Sequence, residues 1–311
     1  TNTSPYPTPQ LPTPATEIFP AQGQFIVLPP QFPPSDTVQW TASIQHQFGR
    51  GWQLQLDYIG NHTNHAPVGY PLNDAVYIPG VWGAGGTGCS PIVTTGPAAV
   101  KPGAAGTPCS TTSNENSRFS LTIANPLQGN QYTGGGGGSV LVGDFGTANY
   151  NALVTTLQHR LSSSFSLLVN QTWSKCLSFA DASGDLAGTA VENPNNYAMD
   201  YGPCGSDYRD IENVVLVAKS QFAFANRIET ALLNDWEFAP LVHIQSGGVV
   251  NVTQGADESL TDNGNDRPNL IPGVPIYLHP ARRQATGEQY RGYLNPAAFT
   301  LNTVSGTYGN I

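Results

Sequence analysis

The sequence contains few charged residues and no long apolar run. Only 11% of its 311 residues are charged, against roughly 25% in ordinary soluble domains. No segment approaches the ~18 consecutive apolar residues of a transmembrane helix, so we expect no helical membrane protein. No signal peptide opens the chain, and we expect an exported protein of this sequence to be seen after processing.

Basic residues and catalytic patterns are scarce as well. The chain has 12 Lys and Arg against 21 Asp and Glu, and the basic residues are scattered. Nucleic-acid binding requires a basic surface, so we expect no nucleic-acid partner. The six histidines are dispersed, no GxSxG motif occurs, and the glycine run at 134–138 lacks the Lys-Ser/Thr of a phosphate loop. We therefore expect no enzyme, cofactor or metal site.

The four cysteines form two local pairs, Cys89 with Cys109 and Cys176 with Cys204, in loops rich in Gly, Pro and Asn. Neither spacing matches a CxxC metal or redox motif. The pattern predicts two loop-closing disulfides and an oxidising compartment. The alternative is four unpaired thiols.

The clearest positive signal is a period of two, typical of β-strands with one apolar face. Residues 148–176 predict a long hairpin with a turn at Ser162, Ser163 and Ser164. Residues 37–48 and 52–58 predict a second hairpin around Gly49 and Gly51. A looser pair is predicted at 209–221 and 232–245, with a short strand at 249–253. Arms of roughly a dozen residues exceed the five or six usual in soluble proteins.

Three regions follow from this pattern. Residues 1–35 form a Pro-rich arm or loop, residues 36–254 carry the hairpins with long disulfide-closed loops, and residues 255–311 form a loop-rich tail. The tracts at 70–146 and 177–207 are expected to be long, structureless loops. Short turns therefore alternate with long loops, as in outer-membrane barrels. We predict an all-β fold built from long antiparallel hairpins of an outer-membrane-type β-barrel, with short turns on one rim and long loops on the other.

Aromatic residues lie near both ends of the predicted strands. Eight residues on a strand, at ~3.3 Å each and ~40° tilt, span about 20 Å, close to the ~25 Å apolar band of a membrane barrel. The alternative is that aromatic residues merely favour strands. The predicted membrane or packing girdle comprises Trp40, Phe48, Trp52, Tyr58, Phe165, Trp173, Trp236 and Phe238.

Several segments resemble the C-terminal barrel of Oar-like TonB-dependent receptors. They are WTASIQHQFGRGWQLQLDYIGN at 40–61, ANYNALVTTLQHRLSSSFSLLVNQTWSK at 148–175, ENPNNYAMDYGPCGSDYRD, DRPNLIPG, and YLNPAAFT followed by GTYGN. The resemblance implies an outer-membrane barrel of about twenty-two strands that admits bulky nutrients with energy passed through TonB. Such receptors usually carry His after the Arg of the strand-opening motif, whereas Asp210 follows Arg209 here.

Six to eight strands cannot close a barrel of that size, and unpaired sheet edges must be covered. The rest of a receptor would cover them, which makes the chain part of a nutrient-uptake or surface receptor. Further copies of the chain would also cover them, which makes it a self-assembling surface filament or oligomer. A soluble β-sandwich is a third possibility. We expect location in the bacterial outer membrane or on the extracellular surface, with outer-membrane lipid or further copies as partners, and TonB if the chain is part of a full receptor.

Overall fold

The computed structural model describes residues 25–127, 139–162, 164–179, 191–193, 195–223, 225–262, 264, 266–278 and 294–311. Residues 1–24 of the predicted arm, the glycine run at 134–138 and Ser163 lie outside them. The strands are β1 Ile26–Val27, β2 Asp36–Phe48, β3 Trp52–Pro71, β4 Val140–Ser162, β5 Phe165–Phe179, β6 Tyr201–Pro203, β7 Asp210–Lys219, β8 Glu237–Phe238, β9 Leu241–Gln245, β10 Asn269–Leu270 and β11 Phe299–Thr300. The helices are α1 Ser120–Ala124 and α2 Arg227–Leu233, with 3-10 helices at Thr112–Ser117, Tyr197–Asp200 and Pro296–Ala298.

One nine-stranded sheet dominates the structure, and the predicted all-β fold is confirmed. Its order is β2-β3-β4-β5-β7-β8, while β9 pairs with β7, β6 with β5 and β1 with the start of β4. All of these pairs are antiparallel except β1 with β4. Within the described residues the sheet stays open, because β2 pairs on one side only and so do β8 and β9. No helix among these residues is long and apolar enough to cross a membrane.

The hairpin predicted from residues 37–48 and 52–58 is confirmed along its whole length. β2 pairs with β3 from Asp36 opposite Asn64 to Phe48 opposite Trp52. Gly49 and Gly51 have φ of 56° and 84°, which only glycine adopts without strain. These two glycines fix the tight turn and therefore the register of the hairpin.

The strands β3 and β4 are longer than predicted, and the tract at 70–146 is not structureless. β3 continues to Pro71 and β4 starts at Val140, with bulges between Thr63 and Val68. Glycine usually indicates a loop, but a Cβ on Gly146 would collide with the backbone and side chain of Ala66. Glycine is therefore used here for close approach inside a bulged strand pair. Between these strands the chain forms α1 and a 3-10 helix.

The third predicted strand pair is only partly correct. β7 forms as expected, but the segment predicted as a strand from 232 begins inside α2. The remainder is split into β8 and β9 at Pro240, which has no N–H to donate to the ladder. The predicted strand at 249–253 is not formed, and Val249 and Val250 are exposed.

The hydrophobic clusters lie in the long connections and where these meet the strand ends. We call the described residues of 72–139, 180–209 and 246–311 the cap. One cluster joins Ile78, Trp82, Cys89, Ile92 and Cys109. A second joins Val68, Phe179 and Val191 at the cap end of the sheet, with the rings of Phe145 and Tyr197 stacked 4.5 Å apart. The cap thus has its own packing, whereas the sheet faces have no layer over them in the described part of the chain.

Candidate functional site

Strand register gives the sheet two chemically different faces. One row of paired residues crosses six strands with almost no polar atom: His46, Leu54, Leu157, Val169, Val214 and Val242. The neighbouring row on the other face is entirely polar: Gln45, Gln55, Thr156, Asn170, Asn213 and His243. We call these the apolar face and the polar face. A sheet of this kind separates an apolar environment from an aqueous one.

The apolar face is open to its surroundings. Every residue of β2 is exposed, and Ile44 and Trp173 retain 72% and 57% of their accessible surface. A β-sandwich would cover such a face with a second sheet about 10 Å away. The second sheet in the described residues is the two-stranded β10–β11 pair of the cap, so sandwich packing does not account for the apolar face.

Aromatic rings form a belt along the short-turn rim of the apolar face. Phe48 and Trp52 have ring centres 6.2 Å apart. His159 lies between Trp52 at 4.6 Å and Phe165 at 5.4 Å, and His46 stacks on Phe48 at 6.3 Å. We call these rings the short-turn belt. Two histidines that interrupt the alternation in the sequence are therefore members of the belt, and their ring character is the signal that could have identified them.

A second set of aromatic residues lies toward the cap. Tyr58 donates a 2.7 Å hydrogen bond to Asn151 Oδ1. The indole of Trp40 covers Gly60, where an added Cβ would overlap the ring. Trp173 pairs with Leu153, which pairs with Tyr58.

Seven of the eight predicted girdle residues thus lie within strands on the apolar face: Trp40, Phe48, Trp52, Tyr58, Phe165, Trp173 and Phe238. Trp236 lies just before β8, at the short-turn rim. Their role as a membrane girdle remains a prediction.

One row in the middle of the apolar face contains polar residues. Thr155, Gln171 and Glu212 follow one another across β4, β5 and β7, with Leu56 and Ile244 on either side. The row adjoins that of Trp173. The same row contains Ile44, so β4, β5 and β7 carry polar residues at the level where β2 carries isoleucine.

Side chains on the polar face bond to one another across the strands. Thr156 Oγ1 donates to Asn170 Oδ1 at 2.6 Å, and Asn213 Oδ1 lies 2.7 Å from His243 Nδ1. Asp57 accepts bonds from Ser43 and Gln55. Such a surface is chemically suited to line a water-filled lumen.

A fully buried arginine joins the first long connection to the C-terminal segment. Arg118 is 0% exposed. Its guanidinium donates to Val76 O at 2.6 Å, Leu260 O at 3.0 Å and Thr111 O at 3.1 Å, while Nε donates to Asn114 Oδ1 at 2.8 Å. Four acceptors surround the charge, which satisfies the requirement for burying it.

A second arginine joins the C-terminal segment to the connection after β5. Arg267 Nη1 lies 3.2 Å from Glu192 Oε2, and Nη2 lies 2.8 Å from Asp200 Oδ1. Glu192 is fully buried. Burial raises the pKa of both carboxyls, and the charge of Arg267 opposes that rise. These ion pairs hold the C-terminal part of the cap around Arg267 to the connection after β5.

Both cysteine pairs form disulfides, in the pairing predicted. Cys89 and Cys109 close the first long connection with a Cα–Cα distance of 5.3 Å, and both are buried in its hydrophobic cluster. Cys176 and Cys204 close the connection after β5 at 5.4 Å. The first bond therefore lies within the cap, and the second joins β5 to the cap.

A cavity of about 430 Å³ lies between the first long connection and the C-terminal segment. Its lining includes Tyr77, Ser110, Thr112, Asp257 and Glu258, so it offers hydroxyl and carboxylate groups to a polar or cationic molecule. Among the described residues, no group of three or more His, Cys, Asp or Glu is placed to hold a metal ion.

Two carboxyl groups near this cavity have raised pKa values. Burial, with the nearby negative charges of Asp262 and Asp257, raises the pKa of Asp74 to about 7. Burial and the same two charges raise the pKa of Glu115 to about 8, against the lowering effect of Arg118. The sequence pattern indicates only a loop-rich tail around Asp257 and Asp262; their proximity to Asp74 and Glu115 depends on tertiary contacts.

Neither the buried Arg118 nor the half-buried Arg267 was identified as an anchoring residue from the sequence. Arg118 belongs to no motif, and Arg267 was noted only within DRPNLIPG. Nothing in the local pattern distinguishes a buried arginine from a surface one, because its partners come from segments far along the chain.

Comparison with known families identifies a matching family. The sequence model of a family described as "outer membrane beta barrel domain" matches residues 1–311, the whole chain. Comparison with curated proteins finds no match, and comparison with solved structures finds none either.

Proposed function

Because the chain belongs to the outer membrane beta barrel domain family and resides in the bacterial outer membrane, we propose that it is part of a TonB-dependent receptor-like barrel. In this proposal the barrel admits a bulky nutrient across the outer membrane. The observation that carries the proposal is the two-faced sheet, whose apolar face suits lipid and whose polar face suits a water-filled passage.

The cap supports an uptake role. In outer-membrane barrels the long loops face the cell exterior and the short turns face the periplasm. The cap contains the Cys89–Cys109 disulfide, the buried Arg118 and the cavity of about 430 Å³, and the Cys176–Cys204 disulfide joins it to β5. A rigid surface of this kind at the outer end of a polar lumen is suited to collecting a ligand before it enters. The proposal assigns no catalytic chemistry to the chain.

The receptor role is tested by contact with TonB. Outer membranes containing the full protein are solubilised in detergent and mixed with the purified periplasmic domain of TonB. Under the proposal the two proteins are isolated together, while an unrelated porin from the same membranes is not. Failure to co-isolate from a preparation whose barrel is folded, as judged by heat-dependent migration in SDS gels, would reject the receptor role.

The open edges favour a second candidate, a filament or oligomer built by strand pairing. β2 is exposed at all 13 positions and, in the described residues, pairs on one side only. Another copy could continue the sheet from that edge. Electron microscopy of native material without detergent distinguishes the two candidates: regular filaments or rings support self-assembly, and particles that require detergent support the membrane barrel.

A further inference from the structure

The connection from β7 to β8 carries a patch of large apolar side chains at the short-turn rim. The patch, which we call the rim patch, consists of Ile228, Leu232, Leu233, Trp236 and Phe238, each at least half exposed at 67%, 64%, 50%, 68% and 64%. Water-facing loops seldom carry so many apolar side chains together. The sequence pattern does not predict this patch, because it favours a strand at 232–245.

Hydrogen bonds hold this connection in a defined shape. The side chain of Asn226 accepts from Ile228 N at 3.0 Å and caps α2. The Asn234 side chain accepts from Phe222 N at 2.8 Å and donates to Phe222 O at 2.9 Å. Ser220 Oγ accepts from Trp236 N at 3.0 Å. The backbone is therefore satisfied internally, and the apolar side chains project from a fixed support.

The rim patch presents almost pure hydrocarbon. The indole N–H of Trp236 donates to Leu232 O at 2.7 Å, so no unsatisfied donor would enter an apolar environment with the ring. Ile228 and Leu232 lie one turn apart on the same side of α2. Arg227 and Glu229 flank that side, which gives the short helix an apolar face with charges at its borders.

The rim patch continues the apolar face of the sheet. Phe238 pairs with Ala218, and Ala218 pairs with Phe165 of the short-turn belt. α2 lies at the end of β7 opposite the cap. In an outer-membrane barrel this end meets the periplasmic leaflet, so the patch lies at the level where lipid headgroups give way to acyl chains.

We propose that the rim patch inserts into the phospholipids of the periplasmic leaflet, with α2 as a short interfacial helix that anchors the β7–β9 side of the sheet. Continuity with the apolar face selects lipid as the occupant, and the charges of Arg227 and Glu229 remain at the headgroups. The inference depends on residence in the outer membrane and is independent of the receptor role.

Depth-dependent quenching tests the proposal. The full protein carrying Leu232→Cys is labelled with the fluorophore NBD and reconstituted into phosphatidylcholine vesicles brominated either near the headgroup or near the chain ends. Glu229→Cys, on the same helix but at its charged border, is the matched control. Ile44→Cys, in the middle of β2, reports whether the sheet itself is inserted in the bilayer. The comparison uses reconstitution conditions under which the label at Ile44 is quenched.

We expect shallow bromines to quench the Leu232 label at least about twofold more than deep bromines do, and more than they quench the Glu229 label. Absence of quenching at Leu232 while Ile44 is quenched would overturn the proposal. Shielding of the Leu232 label that is insensitive to bromine and grows with protein concentration would also overturn it, because it would identify another copy as the occupant.

Discussion

Replacing Ile44 with arginine places a charge at the middle of the apolar face. Ile44 lies four residues from Trp40 and four from Phe48, about 10 Å in depth from each aromatic level at ~3.3 Å per residue and ~40° tilt. A lipid-facing arginine at the bilayer midplane costs ~2–4 kcal/mol. That range corresponds to roughly a 30- to 900-fold loss in the folding equilibrium at 1.36 kcal/mol per factor of ten.

Gln45→Arg is the matched control, because Gln45 is the next residue along β2 and lies on the polar face. Its side chain would enter water, so we expect a change below about 1 kcal/mol. The free energy of unfolding is measured by urea titration of the protein in phospholipid vesicles, with tryptophan fluorescence as the signal. Equal losses for the two variants, or a larger loss for Gln45→Arg, would refute the assignment of the faces.

Three further perturbations probe the cap. Arg267→Ala leaves the fully buried carboxyl of Glu192 without its cation, and we expect a loss of ~3–5 kcal/mol in cap stability by hydrogen exchange. Removing the Cys89–Cys109 bond, with its sequence separation of 20, should cost about 3 kcal/mol in the same assay. Glu115 has a folded-state pKa of about 8 against an ordinary 4.5, so the folded cap binds a proton that the unfolded chain releases. Cap stability should therefore fall as pH rises from about 4.5 to about 8, and Glu115→Gln should flatten this dependence.

Each of these expectations has a control and an opposing result. Arg267→Lys keeps the positive charge, but a lysine ammonium cannot bind two carboxylates as the guanidinium does. Its loss of cap stability should therefore be smaller than that of Arg267→Ala, and an equal loss would contradict the ion-pair account. Loss of the Cys89–Cys109 bond should leave exchange in β2 unchanged, and labelling of all four thiols in denatured, unreduced protein would contradict both disulfides. Cap stability that rises between pH 4.5 and 8 would contradict the burial of Glu115.

The sheet was largely predictable because its information is local. Alternation along residues 37–48 fixes which side chains share a face, and two glycines at the turn fix the register. The extension of β3 and β4 was not predictable, since Gly143 and Gly146 resemble loop residues until the bulged pairing with Ala66 and Val68 is known. The sequence pattern therefore predicts the structure correctly where a single strand and its turn determine the pairing.

The cap and the rim patch could not be predicted for a related reason. Arg118 contacts Leu260, 142 residues away along the chain, and no local rule connects them. α2 was missed because the apolar residues at 232, 236 and 238 also fit a strand pattern. The side chain of Asn226 and the break at Pro240 decide in favour of a helix followed by two short strands.

The most direct test of the central claim is the environment of each side chain along β2. Spin labels are placed one at a time from Thr37 to Phe48 in the protein reconstituted in lipid, and their accessibility to oxygen and to a water-soluble nickel complex is recorded. The account predicts a period of two, with the labels at Val38, Trp40, Ala42 and Ile44 accessible to oxygen and their neighbours accessible to nickel. Uniform access of the nickel complex to both faces would contradict the assignment of the apolar face to lipid.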